Sequence, residues 1–140
     1  MVSKLSKHTL AVFKNNNLKV NNAKLQKVMF FAFLDALIEN KEIDYEDSFV
    51  AWKYGASIPN DYHHYKKYGG LSILEDGEYF EDLSYLDNCI LKYAEKSTHS
   101  LAMDSMKSAL WVKNKDNILS GHYYPKYSLE NLKEDALKLV

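Results

Sequence analysis

The stretch "NAKLQKVMFFAFLDALIE", residues 22–39, limits what this chain can fold into more than any other segment. Leu25, Val28, Met29, Ala32, Phe33, Ala36 and Leu37 recur at helical spacing, and Asn21 or Asn22 can cap the first turn. Phe30, Phe31, Leu34 and Ile38 fill the other faces. A helix that is apolar nearly all round has to be enclosed by its own protein, so residues 22–39 are expected to form a central core helix. Asp35 interrupts it. A carboxylate at an edge of the packing with a hydrogen-bond partner explains that residue better than a catalytic acid does.

The remaining elements are arranged around this helix. Leu5, Thr9, Val12 and Phe13 mark an amphipathic helix over 4–14, which the run Asn15-Asn16-Asn17 ends. After a charged connector at 40–48, Phe49, Ala51 and Trp52 fit either a short strand or a helical turn. Residues 55–59 are expected to be irregular, because the residue before Pro59 is pushed away from helix. Asn60 then caps a helix running to Tyr68, which Gly69-Gly70 stops. Asp76-Gly77, flanked by apolar residues, signals a small hairpin. Further helices are predicted over 83–97 and 101–113, and a last one is capped by Ser128 with Leu129, Leu132, Ala136, Leu137 and Val140 facing inward. No repeat, linker or low-complexity tract divides the 140 residues. The expected fold is mainly α: a single compact domain over 1–140, with six or seven helices around the 22–39 helix and room for one small β-hairpin.

Composition removes several function classes. All eighteen basic residues are Lys, balanced by nineteen acids, so no strongly cationic face is available for a phosphate backbone and no guanidinium fork for reading bases. Direct nucleic-acid binding is not expected. Cys89 is alone, which fits a reduced compartment. The longest apolar run, 28–34, is too short to span a bilayer, and the N-terminal residues lack a signal-peptide core, so the chain reads as soluble and cytoplasmic.

Catalytic signatures are weak throughout. Asp61, His63 and His64, with His99 and His122 elsewhere, are the candidate metal ligands, but adjacent histidines point to different sides of a helix. Cys89 and His99 form no recognisable nucleophile pair, since a lone Cys in an apolar helical pattern is usually inert. There is no phosphate-binding glycine loop and no Gly-x-Ser-x-Gly elbow, and Glu46-Asp47 and Glu81-Asp82 read as solvated charge. The chain is therefore read as a non-enzyme without cofactor or metal.

The segment "FVAWKYGASIPNDYHHYKKYGG", 49–70, stands apart, with one Trp, four Tyr and three of the five Gly. Trp52, Tyr54, Tyr62, Tyr65 and Tyr68 carry large area with a polar tip, the residue types that enrich at protein interfaces. On a helix from Asn60, Tyr62 and Tyr65 share a face with Lys66. About half of these rings, Trp52 above all, are expected in the core.

Two segments also resemble a known family. "KLQKVMFFAF", 24–33, resembles the Lys-Leu-Gln-Lys-hydrophobic-hydrophobic-Tyr-Tyr-Ala helix of the Panacea domain, the SocA-like antitoxin domain often called phage-associated protein. "AWKYGASIPNDYHHYKKYG", 51–69, resembles its Ala-Trp-x-Tyr-Gly-Pro-x-x-Pro-x-x-Tyr-x-x-Tyr/Phe-x-x-Tyr-Gly signature, and Thr98-His99 resembles the Thr-His pair that follows a later helix. The likeness runs from about residue 20 to the last helix. It departs at Gly55-Ala56, where the family has Gly-Pro, and in lacking a Trp a few residues after Thr98-His99.

The resemblance implies a mainly helical antitoxin of a bacterial or prophage toxin-antitoxin pair, binding and neutralising a protein toxin directly or presenting it to a protease. Trp52, Tyr54, Tyr62, Tyr65, Lys66 and His99 are the candidate partner-binding residues. Two other readings stand beside it: a phage or prophage accessory protein without a toxin partner, and a metal-dependent enzyme using His63, His64 and His99. The supply of aromatic residues is also compatible with a homodimer.

Overall fold

Helix α2 (Asn22–Glu39) runs through the middle of the protein with residues buried on every side, and the Asn21 side chain caps it by accepting from Lys24 N at 2.9 Å. The computed structural model describes residues 1–40, 43–46 and 49–140. Among them the fold is mainly helical, with eight α-helices and one two-stranded antiparallel hairpin. Around α2 pack α1 (Lys4–Asn15), α4 (Asp87–Ala94), α5 (Thr98–Ser105) and α8 (Leu129–Leu139). The rings of Phe30, Phe31, Phe33, Phe49, Tyr93 and Tyr127 interlock along α2, each fully buried side chain contributing roughly 1.5–3 kcal/mol of transfer free energy. Asp35 sits at the edge of this packing and pairs with Lys92 of α4 at 2.8 Å.

The hairpin lies at 50–57. Strands β1 (Val50–Trp52) and β2 (Gly55–Ser57) pair Val50 with Ser57, Ala51 with Ala56 and Trp52 with Gly55. The segment from Gly55 is thus a strand instead of the irregular stretch expected from sequence. The restriction imposed by Pro59 falls on Ile58 alone, which meets it in extended geometry at φ −102°, ψ 107°. Pro59 then opens α3 (Pro59–Tyr65) at its first turn, so Ile58 occupies the cap position that sequence assigned to Asn60. A 3-10 turn, Lys66–Tyr68, follows, and Gly69 ends it.

Asp76-Gly77 makes no hairpin. Residues 73–80 cross α1 without regular secondary structure, and Glu78 N donates to Lys7 O at 3.0 Å. Gly77 has φ 71°, and a Cβ there would stand 2.3 Å from Lys7 O and 2.8 Å from Ala11 N. The glycine is needed for close approach to the helix. Either side of it, side chains fasten the crossing. Glu75 accepts from His64 and Tyr68 and pairs with Lys67. Burial raises its carboxyl, but these three partners outweigh that and hold it at about 2. His8, fully buried, accepts from Phe80 N through Nδ1 at 3.0 Å and donates through Nε2 to Asp87 at 2.8 Å. Both ring nitrogens are used structurally.

The predicted 101–113 helix is two helices, α5 and α6 (Ala109–Lys113), followed by α7 (Lys115–Ser120). Ser108 causes the break: its Oγ accepts from Trp111 N at 3.1 Å as a new cap and lies 2.6 Å from Tyr127 Oη. Residues 81–86 form a 3-10 helix ahead of α4 in place of the single 83–97 helix. Ser128 caps α8 in a capping box with Asn131 as expected, but Leu137 is 77% exposed and Val140 lies outside the core. The buried arc runs through Leu132, Asp135 and Ala136 instead.

Asp135 is an uncomfortable core residue. Its Oδ1 accepts from Ala109 N at 3.2 Å, Oδ2 has no hydrogen-bond partner among the described residues, and burial pushes the carboxyl up to about 6. A carboxyl raised in the folded state binds its proton more tightly there, so its contribution to stability falls as pH rises from the unfolded value through about 6. Asp135→Asn is therefore expected to raise Tm at about pH 7.5, with the gain shrinking towards about pH 4, as followed by thermal melts across that range. Gly77→Ala should cost roughly 2–4 kcal/mol in denaturant unfolding, whereas Gly70→Ala, where an added Cβ meets nothing within 4 Å, should stay near wild type.

Candidate functional site

Three polar residues near the start of α2 hold the hairpin and α3 in place. Asn22 Nδ2 donates to Tyr62 O at 3.0 Å, Gln26 Oε1 accepts from Ile58 N at 3.0 Å while its Nε2 donates to Asn22 Oδ1 at 3.2 Å, and Lys27 Nζ donates to Ala56 O at 2.7 Å. All three side chains are buried. Segments 24–33 and 51–69, which carry the sequence resemblance, therefore meet face to face. Gly55 makes the contact close: at φ 102°, a Cβ would lie 2.1 Å from Ser105 Oγ and 2.8 Å from Lys27 Cε.

Where α2, the hairpin, α3 and α5 come together, a cavity of about 250 Å³ opens. Its buried end holds Lys27 and Ser57, and its mouth is formed by Trp52, Tyr54, Tyr62 and His99. Trp52 stands edge-on to Tyr62, ring centroids 4.7 Å apart, and its carbonyl accepts from Trp111 Nε1 at 2.8 Å, so α6 fixes the end of β1. Tyr54, at the hairpin tip, is 63% exposed. His99 comes from the first turn of α5, which Ser97 caps.

Four of the six residues predicted to touch a partner thus line one cavity. Lys66 is exposed but lies outside it. Tyr65 is corrected outright: it is 1% exposed, packed in the core against α1 with Ser6 Oγ donating to its hydroxyl at 3.4 Å, and offers nothing to a partner. The helical face that Tyr62 and Tyr65 were expected to share is split between mouth and core. Trp52, expected to be the most buried ring of the segment, is only half-buried. The histidines separate too, His64 pairing with Glu75 away from the cavity that His99 lines. Among the described residues no group of three or more His, Cys, Asp or Glu is placed to hold a metal ion. Burial, with Asp35 and Glu39 nearby, pushes the Cys89 thiol up, away from reactivity.

Lys27 and Ser57 were missed in the sequence, although a lysine inside an otherwise apolar helix is a legible anomaly. Burial pushes the Lys27 ammonium down to about 7, and none of the described residues lining the cavity is an acid. Ser57 Oγ, equally buried, makes no hydrogen bond to the described residues. The cavity therefore combines apolar aromatic walls with two underused polar groups at its buried end, the make-up of a binding site. The chain matches no protein-family model, no curated protein and no solved structure.

A lysine whose folded value lies below its unfolded one makes the unfolded chain the stronger proton binder between about 7 and 10.5, so this group's contribution to stability rises with pH across that window. Replacing it with Met removes the dependence. Melts from about pH 6 to about pH 9 should show wild type gaining on Lys27→Met as pH increases; parallel curves would mean that Lys27 does not titrate in this range.

Proposed function

We propose that this chain is a protein-binding module that acts as an antitoxin, neutralising a protein toxin by direct contact through the aromatic mouth around Lys27. The observation that carries the reading is the clustering of Trp52, Tyr54, Tyr62 and His99 at one opening, with Tyr54 and His99 exposed. Rings of this kind supply large contact area at low conformational cost and dominate binding energy in protein interfaces. Being held by the hairpin and two helices, they lose little further freedom on binding. The toxin-antitoxin assignment itself comes from the resemblance of segments 24–33 and 51–69 to the Panacea signature, and the departure at Ala56 falls inside the buried strand, away from the mouth.

Co-expression with the product of the adjacent gene, followed by capture of the complex, tests the reading. Tyr54→Ala and His99→Ala should each weaken binding by about 1–3 kcal/mol with Tm unchanged, while Tyr65→Ala should lower Tm instead. Unaltered affinity in both mouth variants would remove this surface as the contact.

A further inference from the structure

We infer that the Lys27 cavity is a carboxylate-binding site, and that the carboxylate it takes is borne by a polypeptide partner. The inference deepens the protein-binding reading and rests on it only for the partner's being a polypeptide.

Charge complementarity leads to this occupant. Among the described residues Lys27 is buried without a counter-ion: there its Nζ makes one hydrogen bond, to a neutral carbonyl, although an ammonium carries three donors. Burying an ammonium without a paired anion is costly, and retaining one at the end of an open cavity makes physical sense when an arriving group supplies the missing charge. Ser57 Oγ, 1% exposed and without a hydrogen bond to the described residues, offers a further donor on the same cavity wall. A carboxylate supplies the anion that Lys27 lacks and acceptor oxygens enough for both donors, and no acid among the described residues of the cavity wall competes for them.

Size and surroundings favour a carboxylate on a chain over a free small acid. At about 250 Å³ the cavity lies below the roughly 300–1,000 Å³ usual for small-molecule sites and suits a single side chain or chain end. Tyr54 and His99 extend the apolar and polar contact area beyond the opening, where only a longer ligand reaches. A lysine low enough to be partly neutral when empty also gives the site a proton signature: binding an anion must raise its affinity for the proton.

Two pairs of short peptides test the inference, one pair carrying Glu or Gln in the middle with both ends blocked, the other ending in a free carboxylate or an amide. At least one acid peptide should bind about tenfold or more tightly than its neutral counterpart, and the preference should disappear in Lys27→Met and weaken in Ser57→Ala. In wild-type protein the Lys27 Nζ resonance should titrate at higher pH when that peptide is saturating, a measurement that decides the matter even if Lys27→Met does not fold. Equal binding of acid and neutral peptides, or a Lys27 titration unmoved by peptide, would overturn the site. Propanoate binding as tightly as the acid peptides would overturn its assignment to a polypeptide. The two readings fail separately. Loss of toxin capture in Tyr54→Ala without any acid preference sinks the carboxylate site alone, and acid preference without toxin capture sinks the antitoxin reading alone.

Discussion

The contact between the polar start of α2 and the backbone of residues 56–62 is the constraint on which the rest of the structure depends. Asn22, Gln26 and Lys27 bond a carbonyl, an amide and a second carbonyl in succession, all away from water. Each bond is worth only about 0.5–1.5 kcal/mol net, but leaving a buried partner unmade costs roughly 1–3 kcal/mol, so the three act as a register that rejects misplacement. Burying an apolar helix gives no such direction. The hydrophobic effect says that α2 must be enclosed, and these polar groups say by what and at which residue.

The hairpin so placed is short, and its β1 edge is covered by the C-terminal part of the chain. Ala51 N donates to Pro125 O at 2.9 Å and Tyr127 N to Phe49 O at 2.8 Å, so residues 125–127 continue the pairing beyond β1. Tyr45 Oη donates to Tyr127 O, and Ser108 meets the Tyr127 hydroxyl, which ties α6 into the same corner. A two-stranded ribbon of this length is not stable by itself. Here its backbone groups are satisfied on one side by the chain's own later residues and on the other by α2, which leaves the Trp52-to-Tyr54 end as the part presented outward.

Much of this was legible in the residues. The all-round apolarity of 22–39 demanded enclosure, the caps Asn21 and Ser128 are where their side chains predict, and Trp52, Tyr54 and Tyr62 of the aromatic segment line one opening. What failed did so for tertiary reasons. Gly77 looked like a turn residue because glycine serves both turns and close contacts, and only the presence of α1 beneath it decides between them. Ser108 is a mediocre helix residue in isolation, and the Tyr127 hydroxyl opposite gives it reason to start a new helix. Tyr65 and Tyr62 are the same residue type three positions apart, and their different fates follow from which neighbour each ring meets, Ser6 or Trp52. The cavity was half visible: its aromatic residues stood out as contact candidates, whereas its lysine, though anomalous in an apolar helix, carries no sign in the sequence of the hairpin carbonyl it meets.

The indole link between Trp111 and the carbonyl of Trp52 gives the molecule a built-in optical probe. These are the chain's two tryptophans, and both lie at the same end of the hairpin, one enclosed and one at the cavity mouth beside Tyr62. Emission excited at the red edge of the absorption band, where tryptophan absorbs and the eleven tyrosines do not, consequently reports on that corner and on little else. Quenching or a spectral shift there registers occupancy of the opening, while the helices on the far side of α2 remain spectroscopically silent.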